Sequence, residues 1–323
     1  MTYSQSSTLG AVLQAPPVVQ QLKAVFAKLD DAPLLEALEG SIRRGPKGHP
    51  VKALWYAYIA RYVLGLESTR ELIRLLQNNP FIAEACGFLG PIPHEATFSR
   101  FFSKLSGRFN LAKLKDVSRR LVRSRYADTP GFGQRVALDS TTLKAWSNGG
   151  KTKKADSQAG WSVKRNTHGK VEATFGWKLH LLVDCETEFP VAANVSPGNV
   201  HDSERASQVL REARFTTNRF LPRFFMADKG YSGRELFALV RRQYQAEPII
   251  QVNRGHKKLM ERFGVWEDTV TWKALYGQRT AVERVFSRLK GQRSLNHIRV
   301  RGRMKVTAHS YLSLIVLQCS QLL

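Results

Sequence analysis

Cysteine is nearly absent from this 323-residue chain: Cys86, Cys185 and Cys319 lie far apart, with no Cys-x-x-Cys pair. Neither a disulfide framework nor a thiolate zinc site is expected, and such sparse thiol use fits a reducing cytoplasm. Acids are scarce as well, with 26 Asp and Glu against 50 Lys and Arg. No apolar run is long enough to span a bilayer, since the nearest, Ala53 to Leu66, is short and is interrupted by Arg61. Met1 to Pro17 carries neither a charged leader nor a cleavage pattern, so residues 1–16 read as a flexible lead rather than a signal peptide. Gly150-Lys151-Thr152 looks like part of a phosphate-cradling loop, but Ala145 stands where the first glycine is needed and no helix follows. No nucleotide cofactor is expected. No internal repeat is visible.

What remains is strongly cationic. The formal net charge is +24 and the pI is near 10.3, a field that attracts a polyanion such as DNA. Beyond Glu283 the imbalance is extreme, because Arg284, Arg288, Lys290, Arg293, Arg299, Arg301, Arg303 and Lys305 meet no further acid. Phosphate binding there would release counterions and make affinity fall with salt. An anionic membrane surface would also attract such a chain, but no apolar stretch is long enough to span it.

Two regions are expected. Residues 17–130 show helical periodicity: Pro17 opens a helix carrying Val18, Leu22, Val25 and Phe26 on one side. Ser68-Thr69-Arg70-Glu71 is a capping-box pattern, and Thr97 can open Phe98 to Leu105. This region would either dock on duplex DNA, as a helix-turn-helix does, or serve as a helical dimerisation platform. From 131 to 323 the pattern changes to three strands, helix, strand, helix, strand, helix. Arg135 to Asp139, Phe175 to Asp184, Phe189 to Val195, Phe224 to Asp228 and Pro248 to Val252 read as the strands. His201 to Arg214 and Arg234 to Gln243 read as helices. Ser147 to Gly160, with Lys151, Lys153 and Lys154, is polar and Gly-rich, either a basic flap over DNA or a disordered connection.

Asp139 and Asp228 each close a short apolar run, at equivalent ends of the first and fourth strands. In a mixed sheet with helices on its faces, ligands gather outside the carboxyl ends of parallel strands, so neighbouring strands would bring the two acids to one edge. Glu283 lies in the string from Tyr276 to Lys290. Read as one helix, that string gathers Tyr276, Arg279, Glu283 and Lys290 within an arc of about 60°, while Val282, Val285, Phe286 and Leu289 face a core. Three carboxylates so gathered repel one another unless cations sit between them, and hard divalent ions suit oxygen donors. Two such ions would clamp an in-line phosphoryl displacement. Around them His180, His201, Asp202, Lys229 and Tyr231 are candidates to orient a carboxylate or a water, although His201 with Asp202 also fits a purely structural turn.

Several phrases together carry a resemblance: Leu138-Asp139-Ser140-Thr141, Gly176 to Asp184, Pro197-Gly198-Asn199-Val200-His201-Asp202-Ser203, Asp228-Lys229-Gly230-Tyr231-Ser232 and the Tyr276/Arg279/Glu283/Lys290 spacing. From about Arg135 to Arg303 the chain resembles the bacterial insertion-sequence transposases named for an Asp-Asp-Glu triad. Their resemblance implies a ribonuclease-H-like mixed five-stranded sheet with flanking helices behind an all-helical N-terminal domain. It implies catalytic, metal-binding roles for Asp139, Asp228 and Glu283, with two magnesium ions that manganese could replace. Contacts to DNA ends would come from Tyr276, Arg279 and Lys290, supported by Arg284 and Arg288. The partners implied are double-stranded DNA, both the terminal inverted repeats and the target, with a homodimer in the complex. The place implied is a nucleoid-associated one in the cytoplasm. Some relatives of this type carry a long β-rich insertion before the final helix, whereas only Asn253 to Lys273 intervenes here. Within it Trp266 and Trp272 would either stack on bases, at about 1–3 kcal/mol per base, or cap the edge of the sheet core.

Overall fold

The computed structural model describes residues 15–40, 48–149, 155–165, 171–252 and 269–323. Lys151, Lys153, Lys154 and Trp266, and most of the Asn253 to Lys273 connection, lie outside the described residues.

The N-terminal region is helical: α1 (Pro17–Lys28), α2 (Ala32–Glu39), α3 (Val51–Val63), α4 (Thr69–Asn78), α5 (Pro80–Cys86), α6 (Glu95–Leu105) and α7 (Arg108–Asp128). Local chemistry sets several of their starts. Ser68 accepts from the Glu71 amide at 3.2 Å, while the Glu71 carboxylate reaches back one residue further than in a standard capping box, to the Glu67 amide at 2.8 Å. Helix α6 begins two residues before Thr97 because the His94 imidazole caps the Ala96 amide. The stripe Val19, Leu22, Val25 and Phe26 of α1 is buried.

A six-stranded mixed sheet follows: β1 (Arg135–Lys144), β2 (Gly160–Arg165), β3 (Val171–Asp184), β4 (Pro190–Pro197), β5 (Phe224–Ala227) and β6 (Glu247–Ile250). β1 pairs antiparallel with β3 and parallel with β5, and β5 pairs parallel with β6. Both β2 and β4 pair with β3, β2 with its first half and β4 with its second. Among the described residues the remaining α-helices are α8 (Asp202–Thr216), α9 (Arg234–Tyr244), α10 (Val270–Gly277), α11 (Thr280–Gln292) and α12 (Arg303–Ser320).

The second region differs from the sequence expectation in three places, two of them in the sheet. β2 is a sixth strand, formed at the end of the polar stretch where composition suggests only a loop. β1 does not stop at Asp139: Thr141 to Lys144 continue the ladder with β3, so the strand runs five residues further. The Tyr276 to Lys290 string is two helices rather than one, because Gly277, with its low helix propensity, ends α10 and α11 begins at Thr280.

Helix α12 joins the two regions. It is buried from Val306 to Cys319, the pattern of a helix apolar all round, and it packs on α1, α3, α6 and α7 as well as on β4. Each polar side chain on it must then find an internal partner. His309 Nδ1 lies 2.7 Å from the Tyr62 hydroxyl of α3, Gln318 meets Ser118 of α7 and the Pro190 carbonyl of β4 at 2.9 Å each, and Tyr311 donates to the Ala193 carbonyl at 3.0 Å.

Burial, reinforced by the charge of Arg61, pushes the His309 imidazole down to about 3 from its ordinary 6.5. The folded state therefore keeps this ring neutral while the unfolded chain protonates it, so stability falls as pH drops from about 6.5 toward the folded value. Urea unfolding should show His309→Gln narrowing its stability gap to the parent by about 1 kcal/mol between pH 6 and pH 5. An unchanged gap across that interval would remove His309 from the acid sensitivity.

Candidate active site

The parallel ladder between β1 and β5 ends at the pair Leu138 with Ala227. The next residue on each strand is an acid: Asp139 on β1 and Asp228 after β5. The two carboxylates therefore leave adjacent strands at the same level, at the carboxyl end of the parallel pair. Asp139 Oδ1 accepts from the Ser140 amide at 2.7 Å, and Asp228 Oδ1 accepts from the Gly230 amide at 2.9 Å. The second bond belongs to a short 3-10 turn, Lys229–Tyr231, for which Asp228 is the N-cap.

Helix α11 supplies the third acid. Ala281, Val282, Val285, Phe286 and Leu289 are buried, and the helix packs on β1 and β3. Glu283 is exposed on its outer side, and Arg279, just ahead of the helix, reaches in two directions. One guanidinium nitrogen stands 2.8 Å from Glu283 Oε1 and another 3.6 Å from Asp139 Oδ2. Burial lowers the pKa of this guanidinium, but Glu283 and Asp139 outweigh it and hold it above its ordinary value. Tyr276 stacks on Trp272, ring centres 4.9 Å apart and 11° between planes, and the Arg279 guanidinium lies 5.7 Å from the Tyr276 ring centre. The Tyr276 hydroxyl reaches Gln251 at 3.5 Å. Trp272 packs at the edge of the core, and its indole N–H has no hydrogen-bond partner among the described residues.

A second polar group lies behind Asp139. Lys178 of β3 donates to Asp202 Oδ1 at 2.9 Å, and His180 Nδ1 stands 4.0 Å from the same oxygen while its Nε2 meets Ser196 at 2.8 Å. Burial raises the Asp202 carboxyl, but Lys178, His180 and Ser140 outweigh that effect and hold it below the ordinary carboxylate value. Burial pushes His180 down to about 4 against the pull of Asp202. Tyr231, 1% exposed, sits among these acids beside Ser140 without satisfactory hydrogen-bond geometry. Burial first, and then the charges of Asp202, Asp139 and Asp228, drive its pKa well above 10.

The other anticipated residues are distributed differently. His201 caps α8 and bonds Ser203 at 2.7 Å on the surface. Lys229 is exposed on the turn after Asp228, and Lys290 is half-buried on α11. Arg284 and Arg288 are both held by Glu188 of the β3–β4 turn, the latter at 2.6 Å. That pairing was not legible in sequence, because Glu188 is 96 and 100 residues away from the two arginines.

Among the described residues no three His, Cys, Asp or Glu side chains stand close enough to hold one metal ion. The donor chemistry nonetheless fits a hard cation. The three acids offer only oxygen, and a guanidinium already supplies positive charge between Asp139 and Glu283. A bound ion would take over that neutralising role from Arg279.

Comparisons with known proteins bear on the fold and family. A family model described as a transposase DDE domain matches residues 130–319, and another, described as the transposase domain DUF772, matches residues 14–104. The first match covers more than half of the chain, and the chain belongs to the DDE transposase family, its sheet and flanking helices forming the ribonuclease-H-like domain. A search of curated proteins found no match. Membership implies a DNA substrate and, for the family in general, a divalent metal. No helix among the described residues is long and apolar enough to cross a membrane.

Removing the Asp202 charge leaves the buried Lys178 ammonium without its acid. Asp202→Asn should therefore lower stability at neutral pH by about 1–3 kcal/mol. Because the folded carboxyl lies below its ordinary value, this contribution is present above pH 4 and fades as pH falls through the folded value. Denaturant titrations at pH 7 and pH 3 read both effects; equal stability of variant and parent at pH 7 would count against the pair.

Proposed function

We propose that this chain is a DNA transposase that cuts the ends of an insertion sequence and joins them to target DNA. The observation that carries the reading is the level placement of Asp139 and Asp228 one residue beyond the last β1–β5 pair, with Glu283 linked to Asp139 through Arg279. Asp139, Asp228 and Glu283 would hold two magnesium ions, for which manganese could substitute, and these would supply Lewis acidity to an in-line displacement at phosphorus. Arg279, released from the carboxylates, has the fork geometry to take a phosphate oxygen in two hydrogen bonds, with Tyr276 beside it and Lys290 in the last turn of α11 for a phosphate further along the strand.

The chemistry is two successive phosphoryl transfers. In the first, water attacks a phosphodiester at the element's end, a phosphorus–oxygen bond forms to the water oxygen, and the bond to the 3′ oxygen breaks. In the second, that 3′-hydroxyl attacks a target phosphodiester, so one phosphorus–oxygen bond again replaces another and no covalent link to the protein is needed. The Asp202, Lys178 and His180 group stands behind Asp139 and restrains the wall of the site. Both ends must meet, so two copies of the chain would assemble on double-stranded DNA.

The test uses paired DNA fragments carrying the inverted repeats that flank the coding sequence, with a target plasmid and magnesium. Asp139→Asn, Asp228→Asn and Glu283→Gln should each reduce cleavage and joining by at least about a thousandfold, equivalent to about 4 kcal/mol, while DNA binding persists. Nicked products that never become joined would identify a hydrolytic nuclease of the same fold. Unchanged processing by the Asp228 variant would overturn the active-site assignment.

A further inference from the structure

A cleft of about 350 Å³ opens where α3, α4 and α6 meet the segment leading into α12 and the residues just beyond β1. That volume is at the small end of the range that holds organic ligands, about 300–1,000 Å³. Its wall carries four cations, Arg61, Arg70, Arg299 and Lys305, together with Trp146, and Glu95 is the sole acid of the lining.

Arg61 is the telling member. It is 5% exposed, yet it bonds only neutral acceptors, the Glu67 carbonyl at 2.8 Å and the Tyr62 hydroxyl at 3.3 Å. Its Nε has no hydrogen-bond partner among the described residues. The carboxylates nearby are committed elsewhere: Glu95 pairs with Arg70 at 2.9 Å, and Glu67 lies 3.7 Å from His297 and 3.8 Å from Arg299. No ion pair among the described residues reaches Arg61 or Lys305. A guanidinium taken out of water without a counter-charge is strongly disfavoured, so the cleft is built to receive an anion from outside. Trp146 adds a second kind of recognition. Its indole is 54% exposed, with the Arg299 guanidinium 5.2 Å from the ring centre. An exposed indole beside cations suits a nucleic-acid base, which stacks on aromatic rings whatever its identity.

We infer that this cleft binds one unpaired nucleotide of the DNA substrate, its phosphate against Arg61 and Lys305 and its base against Trp146. A base within an intact duplex is stacked and paired and cannot reach the indole, which selects a frayed or overhanging end. Trp146 lies two residues beyond β1, at most roughly 23 Å along extended chain from Asp139, so a strand held at the candidate active site can extend to it. The inference rests on the DNA reading of that site.

Binding is measured without metal, so that no cleavage occurs, with a blunt duplex of mixed sequence and the same duplex bearing a four-nucleotide unpaired end. The parent chain should prefer the unpaired end by about tenfold, with quenching of tryptophan fluorescence. Trp146→Ala should lose both the preference and the quenching while keeping its affinity for the blunt duplex and its melting temperature. Lys305→Ala should lower the salt slope for the unpaired end by about one. Equal affinity of the parent for both probes, or an undiminished preference in Trp146→Ala, would overturn the inference while leaving the transposase reading intact. Failure to bind either probe would overturn both.

Discussion

The parallel pairing of β1 with β5 is the constraint from which the candidate site follows. Leu138 and Ala227, its last pair, are both fully buried, so their side chains hold the register against sliding. A slip of one residue would turn every side chain of the strand to the opposite face, and because Val136, Ala137 and Leu138 are all fully buried, it would draw Asp139 into a position now filled by Leu138. Apolar packing beneath the strands thus specifies where two anionic groups stand, and the acids need contribute nothing to the fold themselves.

The third acid depends on a different restraint. Helix α11 is seated by its apolar stripe on β1 and β3, and Glu188 grips Arg284 and Arg288 on its flank. Two of the cations that composition alone offers to DNA are therefore occupied in holding the helix that carries Glu283. Arg279 closes the arrangement by placing one positive charge between Asp139 and Glu283, which reduces the repulsion between the two carboxylates. With 26 acids against 50 basic residues, positive charge is never far away, and what distinguishes these acids is how they are shared.

Much of this was legible in the chain. Short apolar runs ending in Asp139 and Asp228 marked neighbouring strands because burial and strand pairing leave a strong local pattern. The family phrases then supplied the fold. The extension of β1 past Asp139 was not visible, since Thr141 to Lys144 carry no apolar alternation and are ordered by the partner strand β3 instead. β2 was hidden by composition: it pairs with the next strand in sequence, Val171 to Gly176, but Gly160 to Arg165 follows a polar, Gly-rich stretch and carries little apolar signal of its own. The break between α10 and α11 had a signal in Gly277. Asp202 was marked by its phrase, but its pairing with Lys178 was not, and Glu188 and the Arg61 cleft had no signal beyond residue type, because each depends on contacts between separate segments.

Helix α12 has a bearing on how the molecule comes into being. The helices that open the chain close their core around a segment 247 residues downstream of Tyr62. During synthesis the early helices must wait, half-assembled and with apolar faces uncovered, until that distant segment leaves the ribosome. Contacts of such long span slow folding and expose intermediates to aggregation. Cutting the gene between its two regions would accordingly yield a first fragment with an open seam rather than an autonomous unit.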